Sequence, residues 1–383
     1  MTAAELQQLI SNGETSKVQF KENVRNEISI AQEMVALSNS KGGQILIGVN
    51  DKNWEITGLQ ADDLRRLDSL ISTAAQSHVK SPIVVSTEVI DVDFKKVLII
   101  NVVEGTDKPY KDKDGFIFVK NGSAKRKVTS NEELSRLLQS SGNLSAEEQL
   151  LQQSTYEDLN WEKFKAFYEK TYRENCEKEQ LDRYLPNLRL GKNGKLNLAG
   201  ALLFTSYPEK NITGFFITAI WFWGDKVYAN DYRSSENLTG TLQDQFQKAF
   251  DFVFSKLQKI QAGQSFNSIG IPEIPEVVLQ ELLVNALVHR DYFIKDSIKL
   301  FVFQNRIEIL SPGKLPNSLT VQQIRRGIRR KRNNILDSFA PHLLNYRGIG
   351  SGILRSLHTY PNIDFVNDKE AGQFKVIIHR PKT

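Results

Sequence analysis

Glu281, Asn285 and His289 recur every four residues in the string Gln280-Glu-Leu-Leu-Val-Asn-Ala-Leu-Val-His-Arg-Asp-Tyr292. That spacing places a carboxylate, an amide and an imidazole on one face of a helix, while Leu279, Leu283, Ala286 and Leu287 make the opposite face aliphatic. A polar line along a mostly buried helix must be hydrogen-bonded or must hold a ligand. Two readings stand together here. Glu281, Asn285, His289 and Arg290 line a ligand site, or they form a structural polar network around Asp291.

Two basic runs suggest phosphate as a partner. Residues 325–332 contain Arg325, Arg326, Arg329, Arg330, Lys331 and Arg332, six cations in eight positions. Like charges so close repel unless an anion is near. The plain alternative is a solvated helix surface. Earlier, Lys120, Lys125, Arg126 and Lys127 follow a strand, with Lys108, Lys111 and Lys113 close in sequence and Lys17 and Lys21 on a preceding strand. Such a patch can neutralise several phosphates and would bind DNA or RNA in a salt-sensitive way. The formal charge of +5 permits a polyanionic partner without demanding one.

Other chemistries are excluded or unsupported. A lone cysteine, Cys176, rules out an intrachain disulfide framework and a cysteine-based zinc site, and its Arg-Glu-Asn-Cys-Glu-Lys setting reads as a polar helix carrying an ordinary thiol. His78, His342, His358 and His379 show no metal-binding pair spacing. No Gly-x-x-x-x-Gly-Lys-Ser/Thr loop occurs. No basic-then-apolar leader opens the chain, and no apolar run approaches the roughly 20 residues of a membrane span. The expectation is a cytoplasmic protein with no membrane partner.

The elements that must position these residues follow from periodicity. Helices are predicted over 26–38, 60–75, 131–139, 160–179, 242–260, 276–289 and 320–332, and a short one over 3–10. Strands are predicted at 17–21, 45–49, 83–90, 96–103, 115–120, 198–204, 215–222, 297–303, 305–310 and 373–379, with a glycine-rich turn at 347–352. A length of 383 residues implies two or three domains. The expected division is 1–142, a segment of linker helices and mixed structure over 143–265, and a C-terminal region over 266–383 whose fold begins near 196. The expected class is α+β in front, followed by an α/β sandwich.

The N-terminal pieces Glu14, Phe20-Lys21, Leu37-Ser-Asn-Ser-Lys-Gly-Gly43, Ile47-Gly-Val-Asn-Asp51, Lys108-Pro-Tyr110 and Phe118-Val-Lys-Asn-Gly-Ser123 come in an order that resembles the Schlafen AlbA_2 family, over about residues 10–140. The resemblance implies nucleic-acid binding and, in some members, a metal-dependent nuclease built on three clustered carboxylates. Two of these match Glu14 and Asp51, while the middle position carries Gln19, a neutral amide that weakens a metal site. Turn and cap roles for Glu14 and Asp51 are equally consistent with their setting. AlbA-like domains commonly pair, so a homo-oligomer is expected.

The Glu281–Tyr292 string, with Arg306-Ile-Glu-Ile-Leu-Ser-Pro-Gly-Lys-Leu-Pro316 and Arg347-Gly-Ile-Gly-Ser-Gly-Ile353, resembles the C-terminal region of RecG-related predicted transcriptional regulators, similar to the gyrase, heat-shock-protein-90 and histidine-kinase (GHKL) ATPases. By that resemblance ATP with magnesium is the cofactor. Glu281 orients the attacking water, Asn285 ligates magnesium, His289, Arg290 and Gly313 border the nucleotide, and Gly348, Gly350 and Gly352 line the phosphates. The chain departs from the group at Ser311, where an adenine-binding Asp is expected before the glycine. Three functions therefore compete: a nucleic-acid-binding regulator with a degenerate nucleotide site, a nuclease, and an ATP hydrolase.

Overall fold

The computed structural model describes residues 1–142, 144–226, 232–260, 270–316, 319–344 and 352–381. They form two compact units, Met1–Leu144 and Ser145–Thr383.

The first unit runs α1 (Ala3–Ser11), β1 (Val18–Lys21), α2 (Glu27–Asn39), β2 (Gly43–Ile47), α3 (Ala61–Gln76), β3 (Val85–Val92), β4 (Lys95–Val102), β5 (Phe118–Asn121), β6 (Ala124–Lys127) and α4 (Asn131–Ser140). Its sheet has the order β1-β2-β4-β3, with β1 and β2 parallel and the other pairs antiparallel. Residues alternate across the pleat, so the sheet feeds two cores. Ile45, Ile47, Leu98 and Ile100 pack with α2 and α3, while Phe20, Leu46, Val97 and Ile99 pack with Leu6 and Ile10 of α1. Gly43 is required where β2 begins, because its backbone runs against the Lys17 carbonyl with no space for a side chain. The β3–β4 hairpin turns on Asp93 and Phe94, both at positive φ, and leaves the Phe94 ring fully exposed.

The second unit contains α5 (Trp161–Tyr172), α6 (Leu181–Asn187), the small hairpin β7 (Gly191–Lys192) and β8 (Lys195–Leu196), α7 (Leu198–Phe204), β9 (Ile217–Phe222), β10 (Tyr232–Leu238), α8 (Leu242–Phe254), a second small hairpin β11 (Lys259–Ile260) and β12 (Ile271–Pro272), α9 (Glu276–Val288), β13 (Ile298–Val302), β14 (Arg306–Pro312), α10 (Val321–Arg325), α11 (Asn334–Leu343), α12 (Gly352–Thr359), β15 (Ile363–Asp368) and β16 (Gln373–His379). A six-stranded sheet of order β10-β9-β13-β14-β16-β15 is backed by α8 and α9, with α12 packed against α9. Because β9 pairs in parallel with β13, the described residues before α9 in this unit share one core with those from α9 onward and do not stand as a separate segment. The result is an α+β unit followed by an α/β sandwich.

Several sequence expectations change. Leu198–Phe204, read as a strand, is a buried helix whose N-terminus is capped by Asn197 Oδ1 accepting from Gly200 N at 2.9 Å. The basic helix expected over 320–332 stops at Arg325, with Gly327 at φ 81° just beyond. The helices expected over 160–179 and 242–260 end at Tyr172 and Phe254. Cys176 therefore lies outside the helix, buried, with its thiol pushed up to about 11 by burial.

Candidate functional site: a cleft beside helix α9 and a lysine-filled centre

Helix α9 is buried nearly all round, which is why its few polar side chains matter. Glu281 and Asn285 lie one turn apart, and Asn285 Nδ2 donates to Glu281 Oε1 at 2.9 Å. Burial raises the Glu281 carboxyl above its ordinary value, against the lowering pull of the Asn285 hydrogen bond and the Arg355 and Arg329 charges. Arg355 Nη2 stands 3.8 Å from Glu281 Oε2. Gly352, the first residue of α12, packs against the same carboxylate so tightly that a methyl group there would overlap it.

These residues line a cleft of about 920 Å³, part of it open to solvent. Leu282, Ala286, Ile309, Leu319, Ile324, Ile353, Phe374 and Val376 give it apolar walls, and Lys314, Arg329, Arg330 and Arg332 add positive charge. An apolar cavity with a few convergent polar groups is the usual form of a small-molecule site. Its cations are unequal. Asp337, buried, pairs with Arg329 and, at 2.9 Å, with Lys331. Arg332 donates to the carbonyls of His289 at 3.2 Å and Lys314 at 2.6 Å. Arg325 binds the Ile363 carbonyl at 2.8 Å. Of the expected phosphate-binding run, Arg325 and Arg329 are thus tied to the protein, and Arg326 and Arg330 are exposed. Among the described residues, Lys314, Arg326 and Arg330 are the exposed cations here that carry no ion pair.

His289 lines the cleft with its Nδ1 buried and unpartnered. Burial, with Arg329, Arg332 and Lys331 adding to it, pushes its imidazole down to about 3, so it is neutral at physiological pH. Arg290, expected at the ligand, is placed elsewhere: it is fully buried, donates to the carbonyls of Ile294 at 3.2 Å and Asp296, and lies 5.0 Å from the ring centres of Phe215 and Tyr292. Burying a guanidinium requires such partners, so its role is architectural. Gly313, at φ 102°, leaves only enough space for Asp291 and Arg332 to close over it. Gly348 and Gly350 lie outside the described residues.

The residues present fit a nucleotide in part. The apolar walls suit a planar base, and Lys314 and Arg330 suit its phosphates. Glu281 and Asn285 supply oxygens for a hydrated magnesium ion. The Ser311 hydroxyl, however, donates its proton to the Ala286 carbonyl at 3.1 Å, offering a ligand only neutral lone pairs.

In the first unit the expected carboxylate centre is filled differently. Glu14 Oε1 accepts from the Phe20 backbone at 2.7 Å and from the Gln19 amide. Lys120 Nζ donates to Gln19 Oε1 at 2.6 Å and to the Ser123 carbonyl, and stands 3.6 Å from the buried Glu33, which also pairs with Lys125 at 3.3 Å. Burial lowers the Lys120 ammonium, and the Glu33 and Glu14 charges oppose that. Asp51 is exposed in the turn after β2. Among the described residues no group of three or more His, Cys, Asp or Glu side chains is arranged to hold a metal. Beside Glu14, the Gln19 amide and the Lys120 ammonium occupy ground that a carboxylate and a cation would need.

The N-terminal basic patch is also split. Lys120 and Lys125, paired across the β5–β6 hairpin, turn inward to Glu33, while Arg126 on the other side of the pleat binds Glu133. Lys108 is buried against Ser40 and Glu104. Lys17, Lys21 and Lys127 carry no ion pair among the described residues, and Lys127 sits 3.0 Å from the centre of the Phe116 ring. The Ser38-Asn39-Ser40 string has a framework role. Asn39 donates to the carbonyls of Tyr110 and Phe118, both at 2.9 Å, and accepts from Tyr110 N at 2.7 Å.

The sequence reading missed Glu33, Asp337 and Arg355. Glu33 carried a signal, since it falls at the core-facing spacing of Ile30, Met34 and Leu37 on α2. Asp337 and Arg355 come from distant elements and carried none.

Residues 14–129 match the family described as Schlafen, AlbA_2, and residues 295–378 match the family described as putative ATP-dependent DNA helicase recG C-terminal. No curated protein matches the chain. Among solved structures, the DIP2311 protein from Corynebacterium diphtheriae is similar over 99% of this chain and 80% of its own, at 19% identity and a TM-score of 0.48. The N-terminal domain of a putative ATP-dependent DNA helicase RecG-related protein from Nitrosomonas europaea is similar over 34% of this chain and 91% of its own, at 22% identity and a TM-score of 0.26. No described helix is long and apolar enough to cross a membrane. The chain thus carries, in order, a segment that matches the Schlafen, AlbA_2 description and a segment that matches the recG C-terminal description.

Proposed function

We propose that the protein is a nucleic-acid-binding regulator whose C-terminal cleft takes a purine nucleotide with magnesium, and whose N-terminal domain binds DNA or RNA without cutting it. The observation that carries this reading is the cleft itself: Glu281 and Asn285 on one buried helix share an apolar cavity with the exposed Lys314 and Arg330. Bound nucleotide would supply a polyphosphate chain and its metal; Lys314 and Arg330 would hold the phosphates and Asn285 the metal. Glu281, whose carboxyl is raised by burial, stands where a general base would orient an attacking water, which keeps ATP hydrolysis as the second reading. Ser311 offers adenine no charged acceptor, so discrimination between purines is weak. The matched families support nucleic acid as the partner, with Lys17, Lys21 and Lys127 as the available phosphate contacts. A cytoplasmic homo-oligomer is part of the same proposal.

The test is a titration of the full chain with single- and double-stranded DNA and RNA at two salt concentrations, with and without ATP and magnesium. Binding that weakens with salt and changes with nucleotide supports the reading. Failure of ATP and GTP to bind, together with no nucleic-acid binding at low salt, removes it. Turnover of ATP lost in Glu281→Ala would favour the hydrolase.

A further inference from the structure

Strand β10 lies at the edge of the six-stranded sheet, and its pairing with β9 slips by one residue between Tyr232 and Ser234, which oppose Phe222 and Trp221. Arg233 is the extra residue of this bulge. Bulges re-aim a side chain that regular alternation would send to the other face. Here the Arg233 guanidinium stacks at 4.4 Å from the ring centre of Trp221 and 3.8 Å from that of Trp223. Trp223 is 57% exposed. Lys256, after α8, adds its ammonium 5.6 Å from the Trp221 ring.

Two features set this cluster apart from a satisfied surface contact. Among the described residues, the Arg233 side chain makes no hydrogen bond and no ion pair, so its N–H donors are unspent although its guanidinium carbon lies over both rings. A guanidinium already held against aromatic rings loses little freedom when it forks a phosphate. Trp223, in turn, is more than half exposed, just past the end of β9 and next to that cation. Aromatic faces interleaved with fixed cations match a chain of bases alternating with phosphates. A duplex hides its base faces in the stack, so the complementary form is single-stranded.

We propose that the β9–β10 bulge is a stacking platform for single-stranded nucleic acid: a base lies on Trp223, and Arg233 takes the adjoining phosphate with Lys256 adding charge. This site is separate from the nucleotide cleft and from the lysines of the first unit.

The experiment is a low-salt titration of the full chain with oligo-dT of about 16 nucleotides, read by tryptophan fluorescence and by anisotropy of a labelled strand. Trp223→Ala is expected to weaken binding about tenfold, Arg233→Gln to weaken it and reduce its salt dependence, and Trp223→Phe to restore most of the loss. Binding of a duplex of equal length is expected to be unchanged in Trp223→Ala. Both side chains lie at the surface, and unchanged thermal melting checks the fold. The proposal is overturned if Trp223→Ala and Arg233→Gln bind oligo-dT as the parent does, if no oligo-dT binds, or if polyglutamate competes as well as oligo-dT. Substituting Lys17 and Lys127 tests the first unit independently, since loss there with retained dependence on Trp223 would leave this site standing.

Discussion

The Lys120 ammonium and the Gln19 amide oxygen lie 2.6 Å apart, and that contact places a built-in cation where the Schlafen resemblance anticipates a bound one. Glu14 is joined to the same chain of contacts through the Gln19 amide nitrogen. The centre is thereby neutralised by the protein itself.

No cleavage of RNA or DNA is expected from the purified chain with magnesium or manganese. Gel assays over both substrates check this, and the appearance of cleavage that Glu14→Ala abolishes would restore the nuclease reading. Converting Gln19→Glu removes the amide that donates to Glu14 and sets two carboxylates together, so a stability loss of about 1–3 kcal/mol is expected by thermal or urea unfolding.

Gly352→Ala should disturb the cleft more than its single methyl group suggests. The added carbon meets the Glu281 carboxylate, which must swing away or push α12 outward. Overpacking of this kind costs about 1–3 kcal/mol. A drop in melting temperature together with altered nucleotide affinity is the expected pair of readouts. A variant that melts and binds as the parent does would show that the two groups are not so closely packed.

His289 carries a pH signature. Its folded-state pKa, about 3, lies below the ordinary 6.5, so the unfolded chain takes up a proton that the folded chain refuses. Its contribution to stability is complete above 6.5 and is lost as pH falls from there toward 3. Glu147 and Glu281, both raised chiefly by burial, act in the opposite direction. The useful measure is therefore the difference between the parent and His289→Gln, which should narrow as pH falls through this window. A difference that stays constant from pH 7 to pH 4 would contradict it.

Asp337→Asn removes the buried countercharge of Arg329 and Lys331. Breaking one side of a buried pair typically costs about 3–5 kcal/mol, and the partial exposure of Lys331 places this case at or below the low end. Denaturant unfolding should show the loss.

Elements with strong periodicity were legible before any coordinates: α2, α3 and α9 appear within one residue or so of their predicted spans. The β13–β14 hairpin and β16 were equally plain. Leu198–Phe204 failed because a continuous apolar run fits a buried strand and a buried helix alike, and only the Asn197 cap tells them apart. Strand β10 was missed because Tyr-Arg-Ser-Ser-Glu-Asn-Leu, lying at a sheet edge, has no apolar face to alternate. At the candidate sites, the Glu281–Asn285 pairing followed from helical spacing. What the charge runs were for did not follow, because Asp337 and Glu33 claim their cations from elements remote in sequence.

Helix α1 ends at Ser11, three residues before the Schlafen match begins at Glu14. Its Leu6 and Ile10 cover the face of the front sheet that presents Phe20, Leu46, Val97 and Ile99. A fragment trimmed to the boundaries of the matched segment would lay that oily face open to water, and such a fragment should clump or precipitate on expression although every residue of the family pattern is retained.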